Sequence, residues 1–456
     1  MRDWKEIPGD FYNWKKTLKP ERPYIHDYSK KLTYKIFMAK PTADFSASDV
    51  IINYEDAFRH IKEIDAITLG VPKIAYLVGW QYYGHDHNYP AWHEMNEALK
   101  RPEDKCALDS YMWLFEEAKK YNTTVSVHIN MFDAYENSPL WDTYVKEGLI
   151  ATNEDGSLMK VGIWNGIQAY AVSYKREWDS GYAKKRIDEI CQLLPLKEAG
   201  TVHIDALHAK KDVGRGFEME DSRAARRKIL RYWRDLGIDV TSEFLYFDTP
   251  DWAQREESTV GLLPLCYHFS QNLEDYIARP ADLVCGGDAS YRMKEGNTGR
   301  FANLFGDQTD KESAMPDRWK VLDGFCTRDT KFLYLNGLKR EYARVTGDDI
   351  EAYFADGVVT TLEENTMSRN GALMQKGSDI IVPTPWHKEG SAVVYSRNGG
   401  SFTYDLKTIL DVTVDTVQLR ELGIDGLCDN VANAALDDGK LTVNLGAKQA
   451  FVIYTR

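Results

Sequence analysis

Thr201-Val202-His203-Ile204-Asp205-Ala206-Leu207-His208, answered further on by Asp239-Val240-Thr241-Ser242-Glu243-Phe244, decides how the rest of the chain is read. Each stretch is a short apolar run that stops at a carboxylate, a group whose burial costs free energy unless it is paired or used. As parallel strands of one sheet, the two runs deliver Asp205 and Glu243 to the same C-terminal edge, where α/β barrels gather their catalytic groups. Two facing carboxylates suit the cleavage of a glycosidic bond, in which one ionised group attacks the anomeric carbon and one protonated group releases the leaving oxygen. The shorter Asp205 fits a fixed nucleophile and the longer Glu243 fits the acid/base. The plainer alternative is that both cap the next helix or pair with an arginine of the basic helix over residues 222–234.

Working outward, strands are predicted over residues 32–39, 73–78 and 124–130, with helices over 54–63, 108–121, 182–193 and 222–236. Further strands are predicted at 262–267, 283–286 and 332–335. Alternating strands and helices predict an α/β fold, a (β/α)8 TIM-type barrel over residues 32–345, with residues 1–31 as an arm packed on it. Beyond Gly347 the texture changes to short alternating runs at 357–362, 391–396 and 440–445, punctuated by Asn398-Gly399-Gly400 and Asp437-Asp438-Gly439. That pattern predicts a C-terminal antiparallel β-sandwich over residues 350–456.

Composition limits what such a molecule does. With 43% apolar and 28% charged residues in a chain of 456, there is ample material for a large core. No run approaches the roughly 20 apolar residues of a membrane span. The formal net charge of -13 argues against a phosphate-backbone ligand and suits a neutral one. Six cysteines are scattered without paired spacing and the first residues lack an apolar leader core, so the expected location is cytoplasmic, or secreted if a leader was trimmed.

The strand at 73–78 runs into a polar, aromatic loop, Gly79-Trp80-Gln81-Tyr82-Tyr83-Gly84-His85-Asp86-His87-Asn88-Tyr89. His85, Asp86 and Asn130 are candidates for hydrogen bonding to sugar hydroxyls, and Trp80 and Trp164 for stacking on pyranose faces. Asp288 follows two glycines that let a ligand approach the backbone, and Lys331 is either a substrate contact or an ion-pair partner. No cofactor is expected.

The order Gly84-His85-Asp86, then His128-Ile129-Asn130 with Tyr135 after it, then Ile204-Asp205, Thr241-Ser242-Glu243 and Thr330-Lys331-Phe332-Leu333 resembles the catalytic barrel of the endo-α-N-acetylgalactosaminidases, glycoside hydrolase family 101, and its smaller exo-acting relatives. The resemblance covers residues 32–345. It implies a retaining enzyme acting on α-linked N-acetylgalactosamine in a glycan, with Asp205 as nucleophile, Glu243 as acid/base, and His85, Asp86 and Asn130 holding the sugar. The sequence departs from the family in lacking large flanking carbohydrate-binding modules, in carrying Ala206-Leu207-His208 where the family has an aromatic, and in Phe244 where it has Trp. The chemistry therefore transfers further than endo specificity, and exo action or another α-galacto-configured sugar stays open.

Two other classes are distinguishable. A metal-dependent hydrolase would draw on His85, Asp86 and His87 together with Asp205, His203 or His208, and would lose activity with a chelator. A non-catalytic glycan-binding barrel would lack one of the two carboxylates, and both are present.

Overall fold

A computed structural model describes residues 10, 12–246, 259–270, 273–286, 304, 312–313, 317–347 and 349–455. Parallel strands β1 (Leu32–Phe37), β2 (Lys73–Val78), β3 (Thr123–Asn130), β4 (Thr201–Asp205), β5 (Asp239–Tyr246), β6 (Cys266–Ser270) and the two-residue β7 (Glu312–Ser313) form one sheet in the spatial order β6-β5-β4-β3-β2-β1-β7. Neighbours in space are neighbours in sequence from β1 to β6, and the last strand returns to the free edge of the first. Every residue of β2 and of β4 is buried, as a sheet covered on both faces requires.

Between the strands run helices α1 (Tyr54–Ile67), α2 (Ala107–Lys119), α3 (Tyr182–Leu193) and α4 (Met219–Asp235). Asn53 begins α1 by accepting the Asp56 amide at 2.9 Å. A reciprocal capping box of Glu218 and Asp221 begins α4. In α4, Ala225, Ile229, Leu230 and Trp233 recur at helical spacing and are buried, which fixes the face it turns to the sheet.

The C-terminal strands are antiparallel, as the alternating runs predict. Ten of them, from Arg340–Thr346 to Gly426–Ala435, form one continuous sheet, and Gly400–Asp405 pairs with Lys440–Leu445 as a separate ribbon. The first part packs on the second through α1, whose Ala66 lies so near Gly426 that a Cβ there would meet it at 3.1 Å.

Three expected strands need correction. Residues 332–335 lie in helix α6 (Thr330–Asn336), not in a strand, and follow helix α5 (Arg318–Gly324) through a π-helical turn, Phe325–Asp329. The short apolar run there is ambiguous by period, and Lys331, Phe332 and Leu335 are buried together at helical spacing. Residues 283–286 make a single parallel bridge, Leu265 with Cys285. The strand expected at 262–267 begins at Cys266, because the residues before it turn. Among the described residues, no helix is long and apolar enough to cross a membrane.

Candidate functional site

Strand register builds the site. Asn130 at the end of β3 is partnered with Asp205 at the end of β4, and Ile204 with Ser242, so Glu243 on β5 follows beside Asp205. Partnered residues of parallel strands face the same side, and the three side chains form a row along the C-terminal edge. Two residues below, His128 and His203 are partnered in the same way, and their rings lie 5.1 Å apart. His203 is tied down by a 2.8 Å hydrogen bond between Nδ1 and the Thr241 hydroxyl.

Asp205 is almost buried. Its Oδ2 lies 3.4 Å from His128 Nε2 and 3.5 Å from Asn130 Nδ2. Asn130 is itself clamped, since its Oδ1 accepts the amides of Phe132 and Asp133 at 2.7 and 2.8 Å while its Nδ2 donates to Asp133 at 2.7 Å. Glu243 lies beside Asp205 on the neighbouring strand, and the two carboxyls interact. From the other side of the sheet interior, Lys35 of β1 donates to Glu243 Oε1 at 3.0 Å and lies over the Tyr267 ring.

The electrostatics follow from burying carboxylates close together. Loss of water pushes Glu243 above the usual carboxylate range, the charge of Asp205 pushes it the same way, and the ammonium of Lys35 opposes both. Asp86 is raised to about 6, chiefly by burial, with His85 opposing and Asp205 and Glu243 adding to it. Asp133 is held well above its ordinary value by burial and then by Asp86 and Asp205. The cluster therefore retains protons at a pH where free carboxylates have lost theirs.

The loop after β2 reaches the cluster because glycine lets it lie close to the chain. A Cβ at Gly84 would meet the Ala39 carbonyl oxygen at 2.5 Å, and the backbone there has φ of +123°. The next amide, that of His85, donates to that same carbonyl at 2.9 Å. Asp86 and Ala206, on either side of the site, both hold left-handed backbone, with φ of 53° and 40°. Such conformations in non-glycine residues concentrate where surrounding structure fixes a functional loop.

Asp205, Glu243, Asn130, His85 and Asp86 are thus brought together. Trp80 is not part of an open face: it is fully buried, and its indole N–H donates to the His128 carbonyl at 3.0 Å. The expectation that it stacks on a sugar is corrected, because a ring with no exposed face is a wall of the fold. Trp164 is 48% exposed on a hairpin, Lys160–Trp164 with Ile167–Ala171, whose turn residue Asn165 donates to the His85 carbonyl at 3.0 Å. Lys331 lies elsewhere, in a cavity between α6 and the antiparallel sheet, because the segment carrying it is a helix. Asp288 lies outside the described residues.

Sequence reasoning passed over Lys35, His128 and Asp133 as members of the site. A lysine inside the apolar run Leu32-Thr33-Tyr34-Lys35-Ile36-Phe37 was a readable signal, since a buried ammonium needs a carboxylate. His128 sits two residues before Asn130 and shares its face by strand alternation. Of the metal set expected from His85, Asp86 and His87 with Asp205, His203 or His208, His85 and Asp205 come together, joined by His128. His87 stacks near Phe45, and His208 lies edge-on to Phe132, with burial lowering it to about 4. The ligand atoms of His85, His128 and Asp205 do lie within 4.8 Å of one another.

Residues 39–251 match the family model described as endo-alpha-N-acetylgalactosaminidase. Over those residues the chain is similar to that family. The matched span of the endo-alpha-N-acetylgalactosaminidase model holds every residue of the carboxylate cluster except Lys35. Among solved structures, the chain is similar to the alpha-N-acetylgalactosaminidase NagBb from Bifidobacterium bifidum in three forms. The quadruple mutant aligns at 13% identity with a TM-score of 0.56, over 75% of this chain and 57% of that one. The ligand-free form aligns at 13% and 0.55, over 74% and 57%. The GalNAc complex aligns at 13% and 0.53, over 75% and 57%. The chain thus spans a little over half the length of those proteins, and at this identity the likeness speaks for the fold. No curated protein matches the sequence.

Proposed function

We propose that the chain is a retaining glycoside hydrolase that removes α-linked N-acetylgalactosamine, or a related α-galacto-configured sugar, from a glycan. The observation that carries this reading is the placement of Asp205 and Glu243 side by side on neighbouring strands, with Glu243 biased toward its protonated form. Adjacent parallel strands lie about 4.8 Å apart, which favours the roughly 5–5.5 Å separation of a retaining pair over the about 6.5–9.5 Å of an inverting one. The family relationship and the activity printed for NagBb support the same sugar.

In the first step the Asp205 carboxylate attacks the anomeric carbon while Glu243 gives its proton to the glycosidic oxygen, and the aglycone leaves as an alcohol. In the second, the Glu243 carboxylate takes a proton from water, whose oxygen displaces Asp205 and restores the original anomeric configuration. His128 and Asn130 orient the nucleophile, and Lys35 holds Glu243. His85 and Asp86, across the cluster, bind the sugar hydroxyls, and Trp164 stacks on a pyranose face. The sequential strand order and the return of β7 to β1 support closure into an eight-stranded barrel over residues 32–345, with the antiparallel part as a separate C-terminal unit.

The test is a panel of p-nitrophenyl α- and β-glycosides of galactose, N-acetylgalactosamine and glucose. Hydrolysis of the α-N-acetylgalactosaminide with retention is expected, and cleavage of a β-glycoside alone would overturn the reading. A second reading rests on the convergence of His85, His128 and Asp205: a divalent ion there would make Asp205 a ligand and activate water. Stoichiometric zinc or manganese in the active protein, with activity lost to a chelator, would favour it. A glycosidase of the first kind is indifferent to chelators.

A further inference from the structure

Away from the carboxylate edge, α5, the π-helical turn and α6 meet the antiparallel sheet around a cavity of about 380 Å³. That volume falls in the range of small-molecule sites, roughly 300–1,000 Å³. Lys331 lines it and is only 4% exposed, yet among the described residues its ammonium has neither a hydrogen-bond nor an ion-pair partner. Lysines are almost never buried without one, because an ammonium out of water is costly. Gln375 lines the same cavity from the sheet, and its Oε1 is buried without a donor. Its amide N–H group is occupied, donating to the Gly377 carbonyl at 2.9 Å.

Two orphans of opposite kind therefore border one space, a cationic donor lacking an acceptor and an acceptor lacking a donor. The rest of the lining sharpens the requirement. Lys320, Arg328 and Arg397 add positive charge in a protein whose net charge is -13. The single carboxylate among its described lining residues, Asp323, is already engaged by Arg397 through two hydrogen bonds of 2.8 and 2.7 Å and by the Tyr395 hydroxyl. Arg328 touches Asp329 at 3.1 Å and remains partly exposed. It sits on the π-helical turn, a departure from regular helix that occurs frequently at functional sites. Burial lowers Lys331 to about 8, a cost that an anion beside it would relieve.

We propose that this cavity binds a phosphate-bearing ligand with hydroxyl donors, namely a phosphorylated monosaccharide. Its phosphate accepts from Lys331 and Arg328, and a hydroxyl donates to Gln375. Bare hydrogen phosphate shares the same chemistry in a smaller body. The site is independent of the glycosidase reading, because none of its residues belongs to the carboxylate cluster.

Calorimetric titration of the intact chain with galactose 6-phosphate, inorganic phosphate and unphosphorylated galactose, at constant ionic strength, tests the proposal. Saturable binding of galactose 6-phosphate at about 1 mM or tighter is expected. Lys331→Met should weaken it by about tenfold or more, the worth of a charge-assisted hydrogen bond. Binding of inorganic phosphate with equal affinity identifies the free anion as sufficient, and weaker binding identifies the sugar ester, both resting on Lys331. Arg328→Gln, on a partly exposed side chain, provides a second variant and should also weaken binding. The proposal fails if neither phosphate compound binds saturably up to about 20 mM, if galactose binds as tightly as its phosphate, or if both variants bind like the original chain.

Discussion

Strand β5 carries one carboxylate at its N-terminal end and another past its middle, and their surroundings are opposite. At the N-terminal end, Asp239 is fully buried and fully answered: it pairs with Arg234 and accepts the amides of Ile25 at 2.9 Å and His26 at 3.0 Å. The same edge ties Lys73 of β2 to Asp65 at 2.5 Å, and the Thr201 hydroxyl to those of Tyr28 and Tyr76 at 2.7 Å each. Toward the C-terminal edge of the sheet, Glu243, Asp205, Asp86 and Asp133 crowd together, with the ammonium of Lys35 on Glu243 and the imidazoles of His128 and His85 beside them. One edge balances charge and the other accumulates it. Balanced burial is what stability requires, whereas like charges held together store the pKa separation that acid/base chemistry needs.

The sharpest way to break this comparison is to remove one carboxylate from each edge. Asp205→Ala should abolish turnover for every leaving group, a loss of about 10⁴-fold or more, while the thermal midpoint stays close to that of the original chain. Glu243→Ala should still accept a dinitrophenyl glycoside, stall at the covalent intermediate, and be rescued by azide to a glycosyl azide of retained configuration. Rescue in the Asp205 variant instead would mean the two roles are exchanged. Asp239→Asn should do the converse, leaving kcat of the folded fraction intact while lowering stability by about 3–5 kcal/mol, since Arg234 is left buried without its partner. A chemical denaturation curve unchanged by that substitution would dissolve the contrast.

A smaller effect separates the edges by pH. Asp86 is raised from 3.8 to about 6, so its contribution to stability is fully present below the ordinary carboxylate value and is lost as pH rises through about 6. The shift bounds that contribution at about 3 kcal/mol. Asp86→Asn, which cannot ionise, should therefore gain thermal midpoint relative to the original chain on going from pH 5 to 7.5. A difference that is constant with pH would show that Asp86 is not held protonated by the cluster.

Much of the carboxylate edge was legible in the sequence because parallel strands are local: an apolar run that stops at Asp205 or Glu243 states both its own burial and the direction of its end. The partners of that edge were less legible, since Lys35 lies far from Glu243 in sequence and its role depends on which strands become neighbours. Trp80 misled for a related reason, as aromatic content in a loop does not say which ring faces outward. Lys331 misled through period, because Phe332 and Leu333 read equally as strand or helix until tertiary packing chose the helix.

The finest test concerns Lys35, the ammonium that donates to Glu243 at the crowded edge. Its ammonium favours the ionised form of Glu243 and so works against the proton that the acid must hold. Removing it by Lys35→Met makes ionisation of Glu243 harder. The basic limb of the kcat/KM profile, which reports that acid in the free enzyme, should then move to higher pH. Lys35→Arg keeps the charge and should leave the limb near its original position. A uniform fall in kcat/KM with the limb unmoved would give Lys35 a packing role alone, and the raised pKa of Glu243 would then be set by burial and Asp205 against His128.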